Sequence, residues 1–198
     1  MQTEKKRLLI REILGTKTPS FHYSDKPTYP LASGKLSKYY IDCKVALSHA
    51  NIRDLVGEII LDMLGHIQIN AVGGLIIGAY PVAIAVSDAA AKRGINISAF
   101  VVRKDPKPHG LRKYIEGDVE KGQRVLIVDD VVTTGESTFL AIRRCKEEGL
   151  EVVKAIALVD RQEQEGRENI EKTGVKFDSI LTLKDLQTTN KSQSSTPS

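Results

Sequence analysis

Two adjacent carboxylates, Asp129 and Asp130, run directly into Val131, Val132, Thr133, Thr134, Gly135, Glu136 and Ser137, the stretch of the sequence richest in groups that do chemistry. Hydroxyls and a glycine ahead of a helix start make a site for a phosphate monoester. The first helical turn leaves backbone N–H groups unpaired, and the helix dipole favours an anion there. The two carboxylates repel that phosphate, so their expected partner is a neutral diol whose hydroxyls donate to them. A diol beside a phosphate describes a ribose 5-phosphate. Each half has a plainer explanation when taken alone, since an aspartate pair can cap the next helix and a Thr/Gly turn can be only a turn. A Walker-type loop is excluded, because no G-x-x-x-x-G-K-[ST] string occurs.

Three further stretches carry charge or backbone chemistry. Residues 103–113 place Arg103, Lys104, Lys107, Arg112 and Lys113 beside His109, broken by two prolines that exclude a regular element. A Lys/Arg run is most often a solvated surface. This one leaves the end of a strand, where open α/β sheets gather their ligands, and it is expected to be a mobile basic loop facing an anion. Gly73, Gly74, Gly78 and Pro81 form a GG-x-x-x-G-x-x-P run whose N–H groups can hug a diphosphate, a weak signal by itself. Arg161 follows another strand in the string D-R-Q-E.

The elements that position these groups follow from periodicity. Residues 125–128 are apolar without alternation, as in a parallel strand buried on both faces, and Phe139, Leu140 and Ile142 open a helix that Gly149 closes. Further strands are expected at 69–72, 97–102 and 152–159, with an edge strand at 175–183. A short helix is expected at 5–14. Asn51 is expected to cap an amphipathic helix with Ile52, Leu55, Val56, Ile59, Ile60, Met63 and Leu64 on one face, ended by Gly65. Strands alternating with helices predict an α/β fold, a mostly parallel sheet flanked by helices. One domain is expected over residues 1–186, including an irregular N-terminal hood segment at 1–45, and the polar residues 187–198 read as a disordered tail.

Composition bounds the rest. A chain of 198 residues with 41% hydrophobic content builds one substantial core. A net charge of +4 and a pI near 9.0 suit polyanionic ligands, from a diphosphate to nucleic acid. Cys43 and Cys145 lack metal spacing and read as free thiols in a reducing compartment. No apolar run is long enough to span a bilayer and no secretory leader pattern opens the chain, so a soluble cytoplasmic protein without a membrane partner is expected.

Residues 125–137 resemble the 5-phosphoribosyl 1-diphosphate (PRPP) signature of the type I phosphoribosyltransferases. The string S-G-K-x-S-x-Y-Y-I-D at 33–42 is similar to the substrate-side segment of the orotate phosphoribosyltransferases, and R-K-x-x-K-x-H-G at 103–110 to their basic loop. The resemblance spans residues 31–166. It implies the type I phosphoribosyltransferase fold, with Arg103, Lys104, Lys107 and His109 as the catalytic cations that bind the diphosphate. It also implies PRPP contacts from Asp129, Asp130, Val131, Val132, Thr133, Thr134, Gly135, Glu136 and Ser137, and orotate contacts from Thr133 and Arg161.

The implied activity is that of a pentosyltransferase of pyrimidine biosynthesis, moving the 5-phosphoribosyl group from PRPP to orotate to give orotidine 5′-monophosphate and diphosphate. Mg²⁺ is the implied cofactor, carried mainly by PRPP rather than by a protein cage. The implied assembly is a homodimer whose basic loops reach over the neighbouring subunit's PRPP, with no nucleic-acid partner. Two positions depart from the pattern of many members: Ile77 and Gly78 stand in place of a Tyr-Lys pair, and Ala32 in place of a lysine. Two other readings remain, a phosphoribosyltransferase for a different base and a PRPP-sensing nucleic-acid-binding regulator on the same fold. Arg161 favours an anionic base, because a guanidinium grips a carboxylate through two hydrogen bonds. The intact basic loop and the lack of a separate nucleic-acid motif speak against the regulator.

Overall fold

The computed structural model describes residues 2–14, 19–31, 34–106 and 113–194. Its first half holds α1 (Gln2–Leu14), β1 (Phe21–Tyr23), β2 (Tyr29–Pro30), β3 (Leu36–Ser37), β4 (Tyr39–Ile41), α2 (Cys43–Leu47), α3 (Ala50–Leu64), β5 (Ala71–Leu75) and α4 (Ala79–Lys92). The second holds β6 (Ser98–Val102), β7 (Ile115–Glu116), β8 (Arg124–Val132), α5 (Glu136–Glu147), β9 (Glu151–Asp160), α6 (Gly166–Glu171), β10 (Phe177–Thr182) and α7 (Leu183–Ser194).

The core is a six-stranded sheet in the order β10-β9-β8-β5-β6-β7, parallel throughout except for the last pair. From β5 the chain winds outward to β6 and β7, then returns to the other side of β5 as β8. The C-terminal ends of β5 and β8 therefore form a topological switch point, where the loops diverge and leave a crevice. The apolar run of β8 alternates between two cores. Leu126 and Val128 pack with α3 and α4, whereas Val125 and Ile127 pack with the helix face built by α5 and α6. The expected α/β architecture, a mostly parallel sheet with helices on both faces, is the one observed. The hood is built from two small antiparallel pairs, β1 with β4 and β2 with β3.

Four boundaries differ from expectation, each for a local reason. β8 continues past Val128 because Asp129 and Val131 stay paired with Ala157 and Val159 of β9, so both aspartates lie within the strand. β5 takes in Gly73 and Gly74, which pair with Phe100 and Val101 of β6. His49 rather than Asn51 occupies the N-cap of α3, and the Asn51 side-chain amide instead donates to Glu12 of α1 at 2.8 Å. The apolar face of α3 is as expected.

The fourth difference is the tail. Residues 187–194, read as disordered from their polarity, continue α7. Thr182 and Asp185 start that helix with reciprocal bonds: the Asp185 carboxylate accepts from the Thr182 N–H at 2.7 Å, and the Thr182 hydroxyl accepts from the Asp185 N–H at 3.3 Å. Buried Leu183 and Leu186 anchor it to the core. Cys43 and Cys145 are free, buried thiols, and burial pushes Cys145 up to about 12. Among the described residues, no helix is long and apolar enough to cross a membrane.

Candidate functional site at the sheet switch point

The loops leaving β5, β8 and β9 line the crevice. After β8, Gly135 sits at the N-cap of α5 with φ 74°, a conformation that side-chain-bearing residues rarely adopt. A Cβ there would also lie 3.0 Å from Ile170 of α6. This glycine is thus required by the turn and by α6 packed behind it. The Asn169 amide of α6 donates to the Thr134 carbonyl at 3.0 Å, and the Thr134 hydroxyl accepts from the Glu136 N–H at 3.5 Å. Val132 is buried beneath the turn and Val131 partly so, Thr133 and Thr134 are partly exposed, and Glu136 and Ser137 face solvent.

The aspartate pair is divided. Asp129 is buried, with one carboxylate oxygen accepting from the Thr138 hydroxyl at 2.7 Å and the other from the Asp130 N–H at 3.0 Å. Burial, and next the neighbouring charge of Asp130, raise its pKa to about 7. Asp130 is only partly exposed, its carboxylate accepting from the Val131 N–H at 2.9 Å and lying 3.8 Å from the Lys44 ammonium. Gly78 abuts this carboxylate, and a Cβ at that position would come within 2.7 Å of the Asp130 Cγ. The departure at Ile77 and Gly78 therefore brings the start of α4 directly against the aspartate.

Gly73 and Gly74 lie within β5 rather than in the loop that follows it. A Cβ on Gly73 would lie 2.6 Å from the Phe100 ring, and one on Gly74 would lie 2.6 Å from the Ala79 Cβ, so both serve close packing of strand and helix. The loop itself is residues 76–78, with a cis Ile76–Ile77 peptide and Ile76 and Ile77 exposed. Pro81 falls in the first turn of α4, as expected.

Arg161 is buried beneath the hood rather than solvent-exposed. It donates to Glu163 at 3.0 Å, to the Ser37 hydroxyl at 3.0 Å and to the Tyr39 carbonyl at 3.4 Å, joining β3 and β4 to the end of β9. Arg103 lies at the end of β6, where its guanidinium donates to Glu116 at 3.1 Å, and Lys104 is exposed. Lys107, His109 and Ala32 lie outside the described residues. The fold thus gathers residues 129–137, Arg161, and the base of the 103–106 segment at one edge of the sheet. Sequence reasoning overlooked Lys44, Thr138 and Asn169. The cap string D-C-K marks α2, where Asp42 accepts from the Lys44 N–H at 3.0 Å, but nothing local says that α2 points at Asp130. A cavity of about 550 Å³ lined by Leu64, Ile67, Ile95 and Arg93 lies at the opposite edge, where β5 and β6 begin.

The chain matches the family model of the phosphoribosyl transferase domain over residues 47–186. It is 42% identical over 181 residues to the orotate phosphoribosyltransferase of Aquifex aeolicus, covering 90% of this chain and 98% of the relative. With the enzyme of that name from Methanocaldococcus jannaschii it shares 42% identity over 159 residues, 80% of this chain and 86% of the relative. The orotate phosphoribosyltransferase of Mycobacterium tuberculosis H37Rv, solved with Fe(III) dicitrate, superposes with a TM-score of 0.75 at 36% identity, covering 93% and 98% of the two chains. A phosphoribosyltransferase from Corynebacterium diphtheriae gives 0.78 at 34% identity, covering 93% and 99%. Sequence and fold agree over most of the length of both this chain and these relatives, and the chain belongs to the orotate phosphoribosyltransferase family.

Proposed function

We propose that this chain catalyses transfer of the 5-phosphoribosyl group from PRPP to a ring nitrogen of orotate, releasing diphosphate and forming orotidine 5′-monophosphate, a step of pyrimidine nucleotide synthesis. The observation that carries this reading is the partly exposed Asp130 carboxylate beside the N-terminal turn of α5, with buried Arg161 at the end of the neighbouring strand. The 5-phosphate takes the turn at 133–137 and the ribose hydroxyls take the aspartates. Asp130 makes the direct contact, and Asp129 fixes the strand end against Thr138. Thr133 and Arg161 face the base, the arginine holding its carboxylate. The phosphorylated ligand of this reading is one with which the Mycobacterium tuberculosis relative has been solved.

No covalent nucleophile is required. As the anomeric C–O bond breaks, the ribose gains oxocarbenium character and the leaving diphosphate gains charge, so fixed cations lower the barrier. Arg103, Lys104, Lys107 and His109 supply them, His109 as a hydrogen-bond donor. The donor set at the crevice, carboxylate and hydroxyl oxygens, would suit Mg²⁺. Mg²⁺ carried by PRPP would supply charge neutralisation to the leaving diphosphate. The working form in this reading is a cytoplasmic homodimer with the basic loops shared between subunits.

A panel of bases tests the proposal. With PRPP and Mg²⁺, orotate should be consumed while uracil, hypoxanthine and adenine are not. Turnover of a purine without turnover of orotate would assign the chain to another base.

A further inference from the structure

The turn after β9 is unusual for residues that carry a Cβ. Gln162, Gln164 and Glu165 have φ of 54°, 55° and 56°, a sparsely populated region for such side chains. Glu163 is held among them. Its carboxylate covers one side of the Arg161 fork, with Nε donating to Oε2 at 3.0 Å and an Nη donating to Oε1 at 3.5 Å. The other donors of the same guanidinium go to the Ser37 hydroxyl and the Tyr39 carbonyl. The Arg161 side chain is 4% exposed and that of Glu163 30%, so the glutamate stands between a buried cation and solvent. A carboxylate ligand takes this same side-on arrangement on an arginine, and two carboxylates repel each other at one fork.

We propose that Glu163 is an internal stand-in for the carboxylate of the base, occupying the Arg161 fork while the base site is empty and leaving it as orotate enters. The inference rests on the reading of Arg161 as the residue that holds orotate. A buried guanidinium without a counter-charge is strongly disfavoured, and Glu163 supplies one to Arg161 between turnovers. Binding then exchanges one carboxylate for another, and the apparent affinity for orotate is lowered by the fraction of enzyme whose fork is occupied. A base lacking a carboxylate has nothing to exchange and meets Glu163 still in place. The turn at 162–165 is the moving part, since releasing the fork lets these residues return to ordinary backbone conformations.

Steady-state KM values for orotate and PRPP in wild type, Glu163→Gln and Glu163→Ala test the exchange. Glu163→Gln keeps the shape of the side chain and removes its charge. The expected result is an orotate KM lowered about fivefold, the factor carried by a partly exposed ion pair, with the PRPP KM unmoved. Glu163→Ala should move the orotate KM in the same direction, which structural damage would not do. An orotate KM that is unchanged or raised in both variants overturns the exchange and makes Glu163 a residue that merely orients the fork. A wild type that consumes no orotate removes the functional reading and this inference together, whereas an active wild type with unmoved variants removes only the inference.

Discussion

At the scale of single residues, the two adjacent aspartates stand in different surroundings, Asp129 buried against Thr138 and Asp130 partly exposed beside Lys44. Asp130 is the more exposed carboxylate, so Asp130→Asn should weaken PRPP binding roughly tenfold or more by calorimetry, because a charge-assisted hydrogen bond is worth about 1.5 to 3 kcal/mol. Unchanged affinity would remove Asp130 from the ribose. Asp129 is buried with a raised pKa near 7. Its contribution to stability is therefore fully present below the ordinary carboxylate pKa of about 4 and is lost as pH rises towards 7, where the native state must hold a buried charge. Asparagine carries no charge at any pH. The Tm of wild type relative to Asp129→Asn should accordingly fall between about pH 4 and 8, and a difference that stays flat would show that Asp129 does not titrate there. Arg161→Lys should raise the orotate KM and lower kcat far more than it alters PRPP binding, because an ammonium cannot replace a planar fork. That the carboxylates and the Thr/Gly turn stand between a strand and a helix start was legible in the sequence, because an apolar run precedes them and a helical pattern follows. The difference in burial between the aspartates was not, since it depends on Thr138 reaching back from α5 and on β9 prolonging the strand.

Among the elements, the strands and long helices were legible because apolar periodicity reports burial directly, and the ends were less so. Gly73 and Gly74 resembled a ligand loop, yet their need for glycine comes from Phe100 and from Ala79, packing partners that a single sequence does not display. The same applies to Gly57, which lets α3 approach α4 so closely that an added Cβ would sit 2.9 Å from the Ala89 Cβ and overlap the Ala85 carbonyl. Gly57→Ala should destabilise despite the better helix propensity of alanine. Overpacking costs about 1 to 3 kcal/mol against about 1 recovered from propensity, which lowers Tm by roughly 3 °C. A raised Tm would mean that the two helices slide apart freely. The α7 helix was missed because composition argued against order, whereas the Thr182–Asp185 bonds and two buried leucines start and anchor it.

Across the whole molecule, the switch point explains why segments far apart in sequence meet; strand alternation made the parallel sheet legible, but the strand order that creates the switch point was not. If the basic loop serves the neighbouring subunit, Lys107→Ala and Asp130→Asn homodimers should each keep little activity at limiting PRPP, and random mixing should restore about a quarter of wild-type activity there, because half of the dimers carry one intact composite site. Verified mixed dimers without recovery would place the loop in its own subunit's site. The central claim, ribosyl transfer to orotate at this crevice, is tested most directly by mass balance. Orotate, PRPP and Mg²⁺ are incubated with wild type and, in parallel, with Asp130→Asn. Wild type should form one orotidine 5′-monophosphate and one diphosphate for each orotate lost, at a rate that Asp130→Asn reduces sharply at limiting PRPP. Loss of PRPP without loss of orotate, or equal rates in the two proteins, would contradict it.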